Sequence, residues 1–331
     1  MPSTIQIGGL LEPGLRSAAA FVYWPNYMGV KAEIGECIWM EATSDKLEEI
    51  YGFLETPPYL TWWPSTSPIP SGDIESQRFT IINRDFGRRV YLPRNAEDDQ
   101  TGTAYAFARG IAKTYAILPQ EIFYQVLQEQ AYNGTTRPLP VLPKWADGGD
   151  MFETSTRYGR SGGNTVTLTS ASTVQGVITD MFSGVRAWQE FQNTQGREFF
   201  DANQTRTFSV FHGTAQTLVM NQAEFQTRTP WEQTSGANGT GQTPSNVLQE
   251  AKLNIKYIPS QRITATAYYM ILRGLPDYLR PMWRQVRKNY TEWQGTFVTS
   301  DHARDYGQEY VQADCREGYG GALAIGALEV V

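Results

Sequence analysis

Few residues in this chain have the type and spacing that chemistry needs. Its 331 residues include only two histidines, His212 and His302, and two cysteines, Cys37 and Cys315. The group His302, Asp301 and Asp305 is the nearest approach to metal-ligand spacing, and it reads as a solvated loop. Nothing around either cysteine resembles a nucleophile paired with a base, and both thiols read as free or buried. The carboxylate pairs Asp98-Asp99 and Asp147/Asp150 could serve glycoside hydrolysis, with tryptophans as sugar platforms. The plainer reading is solvated or helix-capping acids, since Asp98-Asp99 precedes a helix start.

Other letter matches fail for want of context. Asp85-Phe86-Gly87 spells the kinase triplet without the glycine-rich and catalytic loops that give it meaning. The stretch GANGTG lacks the flanking strand and helix of a phosphate cradle. Two basic groups remain. Arg280, Arg284, Arg287 and Lys288 would line one face if helical, and Arg78, Arg84, Arg88, Arg89 and Arg94 form a stripe on an extended ribbon. The net charge of −6 argues against nucleic-acid recognition as their purpose. Carboxylates of a neighbouring subunit are the preferred partners. With no cofactor or metal site indicated, the first expectation is a protein that builds rather than catalyses. The alternative is a carbohydrate-active enzyme or sugar-binding module.

The elements that must position these residues are uneven along the chain. Hydrophobic residues make up 40% and charged residues 19%, as in a folded α+β protein of about two domains. Residues 1–44 read as an extended arm. Residues 45–51 could form a helical turn or two, followed by a proline-rich stretch carrying Trp62-Trp63, whose exposed rings call for a partner surface. Phe79–Arg94 reads as strand with a turn at Phe86-Gly87. Phe107, Ile111, Tyr115 and Leu118 share one face of a long helix ending near Ile117, with Pro119 opening a second segment. Val174–Trp188 is a second amphipathic helix, capped by Ser172 or Thr173. FSVFHG and TLVMNQAEF read as short strands, and strands follow from Leu253 to the C-terminus, with both ends of the chain sharing one sheet. No apolar stretch is long enough for a membrane span, and the first twenty residues do not read as a signal peptide, so a soluble protein made in a cytoplasm is expected.

The order of features resembles the Mu-like major head subunit family of tailed-phage capsid proteins. The resemblance rests on Phe79–Gln128, where a strand and acidic segment lead into a long helix and a Pro-led PxEIxxxLL-type run from Pro119. It rests also on Gly162–Arg197 and on the closing Tyr306-Gly307 and Gly318-Tyr319-Gly320. It implies the Hong Kong 97-type capsid fold: an N-terminal arm (1–44), an E-loop region (45–99), a peripheral domain with a spine helix (100–175), an axial domain (176–298) and a return to the peripheral domain (299–331). It further implies a major capsid protein of a tailed double-stranded DNA phage or prophage, forming hexamers and pentamers of an icosahedral virion shell assembled in the host cytoplasm. Scaffold, portal and decoration proteins would be separate partners, and packaged DNA would be touched only non-specifically. The expected assembly contacts are Trp62, Trp63, Arg78, Arg84, Arg88, Arg89, Arg280, Arg284 and Arg287.

Overall fold

A computed structural model describes residues 23, 25–30, 39–54, 76–93, 103–128, 139, 141–170, 172–193, 196–228, 252–264, 266–276, 279–295, 300, 305, 308–321 and 323–331. Cys37, Trp62, Trp63, Asp98, Asp99, Asp301 and His302 lie outside them.

Among the described residues the strands form three sheets. The first contains β1 (Trp39–Thr43), β9 (Met282–Gly295), β10 (Gln308–Gly320) and β4 (Arg84–Pro93), in that order. β1 runs parallel to β9, and β10 is antiparallel to both β9 and β4. Segments from both ends of the chain therefore share one sheet, as the sequence suggests. The second sheet has the order β5 (Thr165–Val166), β11 (Ala327–Val330), β8 (Tyr268–Leu272), β6 (Thr207–Gly213) and β7 (Asn254–Ser260). The third is a two-stranded ribbon of β2 (Glu48–Leu54) and β3 (Ser76–Ile82).

Among the described residues, three long helices pack on these sheets. α1 is Thr103–Leu127, α2 is Val174–Glu190 and α3 is Thr217–Arg228. α2 begins as its sequence dictates: the Thr173 hydroxyl caps it by accepting from Gly176 N at 3.2 Å. Every side chain of β8 is buried, which suits a strand covered on both faces. Tyr268, Met270 and Leu272 join Met181, Trp188 and Met220 of α2 and α3, while Tyr269 and Ile271 join Phe123 and Tyr124 of α1.

Five local expectations are corrected. α1 does not stop at Ile117 but continues through Pro119 to Leu127. An interior proline costs about 3 kcal/mol; here Ile122, Phe123, Tyr124, Val126 and Leu127, all buried just beyond it, offset that loss. The break in Phe79–Arg94 falls at Asn83, with Phe86-Gly87 inside β4. Buried Asn83 donates from its backbone to Leu47 O (2.8 Å) and from its amide to Lys46 O (2.7 Å) and Ser44 Oγ (3.0 Å), marking where the chain passes from ribbon to sheet. Residues 48–54 are strand rather than helical turns, paired with β3 so that Tyr51 stacks on Phe79 and meets Trp283 edge-on. Thr217–Phe225 is helical, since Met220 and Ala223 bury at a helical interval. The Arg280–Lys288 group lies largely on strand β9, so its members alternate between faces instead of lining one.

Candidate assembly surfaces

The centre of the first sheet is a three-residue crossing. Trp283, Arg284 and Gln285 of β9 stand opposite Gly320, Tyr319 and Gly318 of β10. Adjacent strand residues face opposite sides, so Trp283 and Gln285 meet one layer and Arg284 another.

On the first side lies the ribbon. Phe79 and Tyr51 put their rings 5.0 Å from the Trp283 ring, and the Tyr51 hydroxyl donates to Gln285 Oε1 at 2.7 Å. Ile81 rests on the glycines: a Cβ at Gly318 would lie 2.6 Å from Ile81 Cγ2 and 2.9 Å from Ile82 O. Only glycine permits that approach. On the other side lies the helical segment 25–30. Arg284 makes a two-pronged pair with Glu317 (3.0 and 2.5 Å), and it donates to Glu41 of β1 at 3.1 Å and to the Tyr27 hydroxyl at 2.6 Å. The Tyr27 hydroxyl also donates to Glu41. Tyr319 donates to Glu317 at 2.5 Å. Burial works against the guanidinium charge of Arg284, but Glu317, Tyr319 and Tyr27 outweigh it and hold its pKa well above the ordinary value. Burial, reinforced by Glu317, pushes the Tyr319 hydroxyl well up, and the Cys315 thiol likewise.

This crossing changes the list of candidate contacts. Arg284 is not a surface group; its side chain is 6% exposed and paired within the chain. Arg78, Arg88, Arg89 and Arg287 are exposed, while Arg84 and Arg280 are half-buried. Arg280 donates to Leu275 O at 3.4 Å. Arg89 stacks on the Tyr310 ring at 4.4 Å and donates to Gln312 at 2.7 Å, so the basic stripe is ordered against β10. The sequence reading missed Glu41, Glu317 and Tyr27. Its available signal was the closing Gly-Tyr-Gly, whose alternation of bare and bulky positions matches two layers of different depth.

The ribbon's outer face is bare. Ile50 is 65% exposed, Ile82 49% and, beside them, Val141 61%. Thr80, Ile82 and Arg84 form one wall of a groove of about 260 Å³, with Val141, Leu142, Pro143 and Lys144 along it and Glu317 and Tyr319 at its end. Apolar side chains exposed on both the ribbon and this segment form the kind of patch that a partner covers.

Of the acids considered for sugar cleavage, Asp98 and Asp99 lie outside the described residues, and Asp147 and Asp150 are committed elsewhere. Asp147 holds buried Arg157 through two bonds of 2.5 and 2.8 Å, and Asp150 pairs with Lys144 at 2.6 Å. Arg157 also donates to the carbonyls of Asp150 and Met151, so these residues clip a loop together. Buried His212 has its ring pKa lowered by desolvation.

The fold is that of a tailed-phage capsid subunit of the Hong Kong 97 type. It is similar to the capsid of the cyanophage P-SCSP1u (TM-score 0.53, 11% identity, 90% of this chain and 87% of that one). It is similar also to the mature capsid of bacteriophage PhiM1 (0.55, 8%, 100% and 90%) and the capsid of an empty GTA particle (0.52, 12%, 100% and 94%). Residues 26–137 match the family described as Mu-like prophage major head subunit gpT. The match covers about a third of the chain and includes part of the stretch whose pattern resembles that family, while the similarity of fold extends over nearly all of it. No curated protein sequence matches it.

Proposed function

We propose that this chain is the major capsid protein of a tailed double-stranded DNA phage or prophage, self-assembling into pentamers and hexamers of an icosahedral head. The observation that carries this is where the family match falls: residues 26–137 span the helical segment 25–30, the ribbon and α1, the parts least able to stand alone. A two-stranded ribbon is marginal by itself. Here one face rests on Trp283 and the other presents Ile50 and Ile82 outward. Covering that face with a neighbouring subunit, repeated around a closed shell, sums many modest contacts into a stable particle.

In this reading residues 1–44 are the arm, 45–99 the E-loop region, 100–175 the peripheral domain with α1 as spine, 176–298 the axial domain and 299–331 the return. Arg78, Arg84, Arg88, Arg89, Arg280 and Arg287, with Trp62 and Trp63, are the contact residues; Arg284 is a positioning residue beneath them. The protein works by assembly, not catalysis, inside the host cytoplasm, beside separate scaffold, portal and decoration proteins. Packaged DNA meets it without sequence preference. Among the described residues no helix is long and apolar enough to cross a membrane.

Sedimentation velocity and negative-stain microscopy of the purified chain test this. Shells, or discrete pentamers and hexamers, are expected. A monomer persisting at high concentration and with scaffold present would overturn it.

A further inference from the structure

We propose that Trp283-Arg284-Gln285 is a coupling element through which the tilt of the β2–β3 ribbon and the seating of the helical segment 25–30 determine one another. The case rests on three observations. The two segments dock on consecutive residues of one strand, from opposite faces: the ribbon on Trp283 and Gln285 through Phe79 and Tyr51, the arm on Arg284 through Tyr27. The strand that carries them is held on both edges, by β1 over Trp39–Thr43 and by β10 through Gly318-Tyr319-Gly320. Neither segment can therefore shift its anchor without turning the other's. The seats are also tight. Gln285 and Ile81 are fully buried, Arg284 is nearly so, and Ile81 sits over Gly318 and Gly320 with no room for even a methyl group at Gly318.

The two attachments differ in kind. The ribbon side is mostly rings and aliphatic surface, which can slide. The arm side adds a charged network to its stacked rings: Tyr23 lies on the Tyr290 ring at 5.0 Å, and Tyr27, Glu41 and Glu317 all bond one guanidinium. Its bonds are directional, and a partly broken network of this sort is worse than an intact or an absent one. Turning β9 by a ribbon movement therefore converts a gradual tilt on one face into a near all-or-none release on the other. Sheet strands that place two ligands on alternating faces give this kind of link without any long-range pathway. Because coupling between sites is reciprocal, unseating the arm must loosen the ribbon by the same factor.

The link is a property of the single chain, so it can fail or hold whether or not shells form. The test is hydrogen exchange by mass spectrometry on the full chain, wild-type, Tyr27→Phe, Tyr51→Phe and the double variant. Tyr27→Phe removes one hydroxyl from the Arg284 network and touches nothing in the ribbon. We expect it to speed exchange of the ribbon amides (48–54, 76–82) by about five-fold, the lower end of typical coupling. Tyr51→Phe should speed exchange in residues 25–30 and 39–43 equally. The double variant should fall short of the product of the two. Effects confined to the mutated side would overturn the proposal. So would a uniform rise that includes β6 and β8, which reports general loss of stability. If Tyr27→Phe fails to fold, the exchange of residues 25–30 in Tyr51→Phe decides alone.

Discussion

The two larger sheets solve the same burial problem with different chemistry. In the five-stranded sheet, β8 contributes five consecutive buried residues, and α2, α3 and α1 cover its faces with Met181, Trp188, Met220 and Phe123. Asp180 of α2, packed on this sheet, is fully buried and accepts from Thr169 N (2.9 Å) and the Tyr268 hydroxyl (3.1 Å). In the four-stranded sheet the central strand carries a buried arginine and a buried glutamine, each holding a different segment. Apolar burial is non-directional and scales with area, so the first region is built to stay. A hydrogen-bonded charge network is directional and cooperative, so the second can hold a fixed geometry or release it. Under the proposed function, that contrast assigns permanence to the five-stranded sheet and adjustability to the root of segment 25–30 and the ribbon.

The largest expected effect compares the two anchors. Arg284→Met should destabilise the chain by about 3–5 kcal/mol, because Glu317 is left buried and unpaired. Adding Glu317→Leu should restore a measurable part of it. Trp188→Ala should cost a similar amount, about 3–5 kcal/mol by cavity formation, with no polar substitution able to rescue it. Denaturant unfolding of the three variants reads both, and an Arg284 variant that Glu317→Leu fails to improve would break the contrast.

Next in size is a pair of glycines. Gly318→Ala drives a methyl group into Ile81 and the Ile82 carbonyl, and should cost about 1–3 kcal/mol by overpacking. Gly184→Ala in α2 presses on the flexible end of Met270 and touches Leu328 at an ordinary 3.6 Å, and helix propensity favours alanine there, so its net effect should stay within about 0.5 kcal/mol. Equal losses would mean that the ribbon seat is no tighter than an ordinary helix contact.

A smaller, pH-dependent effect separates the regions again. Burial lowers the pKa of His212 below its ordinary 6.5, so the unfolded chain takes up the proton first. Its contribution is complete above pH 6.5 and falls away as the pH drops through the lower folded value. His212→Gln should flatten that part of the stability curve; an unchanged slope would remove His212 from the account. The smallest stability effect belongs to Ile50→Asp on the outer ribbon face, expected within about 0.5 kcal/mol while particle formation is lost.

Much of this organisation is legible in the sequence where a period is sustained. The 3.6-residue spacing of Val174–Trp188 and a cap at Ser172 or Thr173 give α2 directly, and the alternation after Leu253 gives the later strands of both sheets. Legibility ends where tertiary contacts override local preference. Pro119 reads as a helix start, yet burial of Ile122–Leu127 carries α1 past it. Arg280–Lys288 reads as a basic group that would share one face only if helical, and nothing local reveals that Arg284 meets Glu317 from another strand and Tyr27 from far upstream. Asn83 shows the same limit: its role as the ribbon's pivot depends on Ser44, Lys46 and Leu47. The Gly-Tyr-Gly of β10 is visible as letters, but its purpose is clear only with Ile81 above one face and Arg284 on the other.

The most direct measurement is a cryo-electron microscopy map of particles formed by the full chain. The account predicts closed shells of pentamers and hexamers in which a neighbouring subunit covers Ile50, Ile82 and Val141, with Arg284 still paired to Glu317. Shells that leave this face of the ribbon open to solvent, or a chain that forms no particle at all, would contradict it.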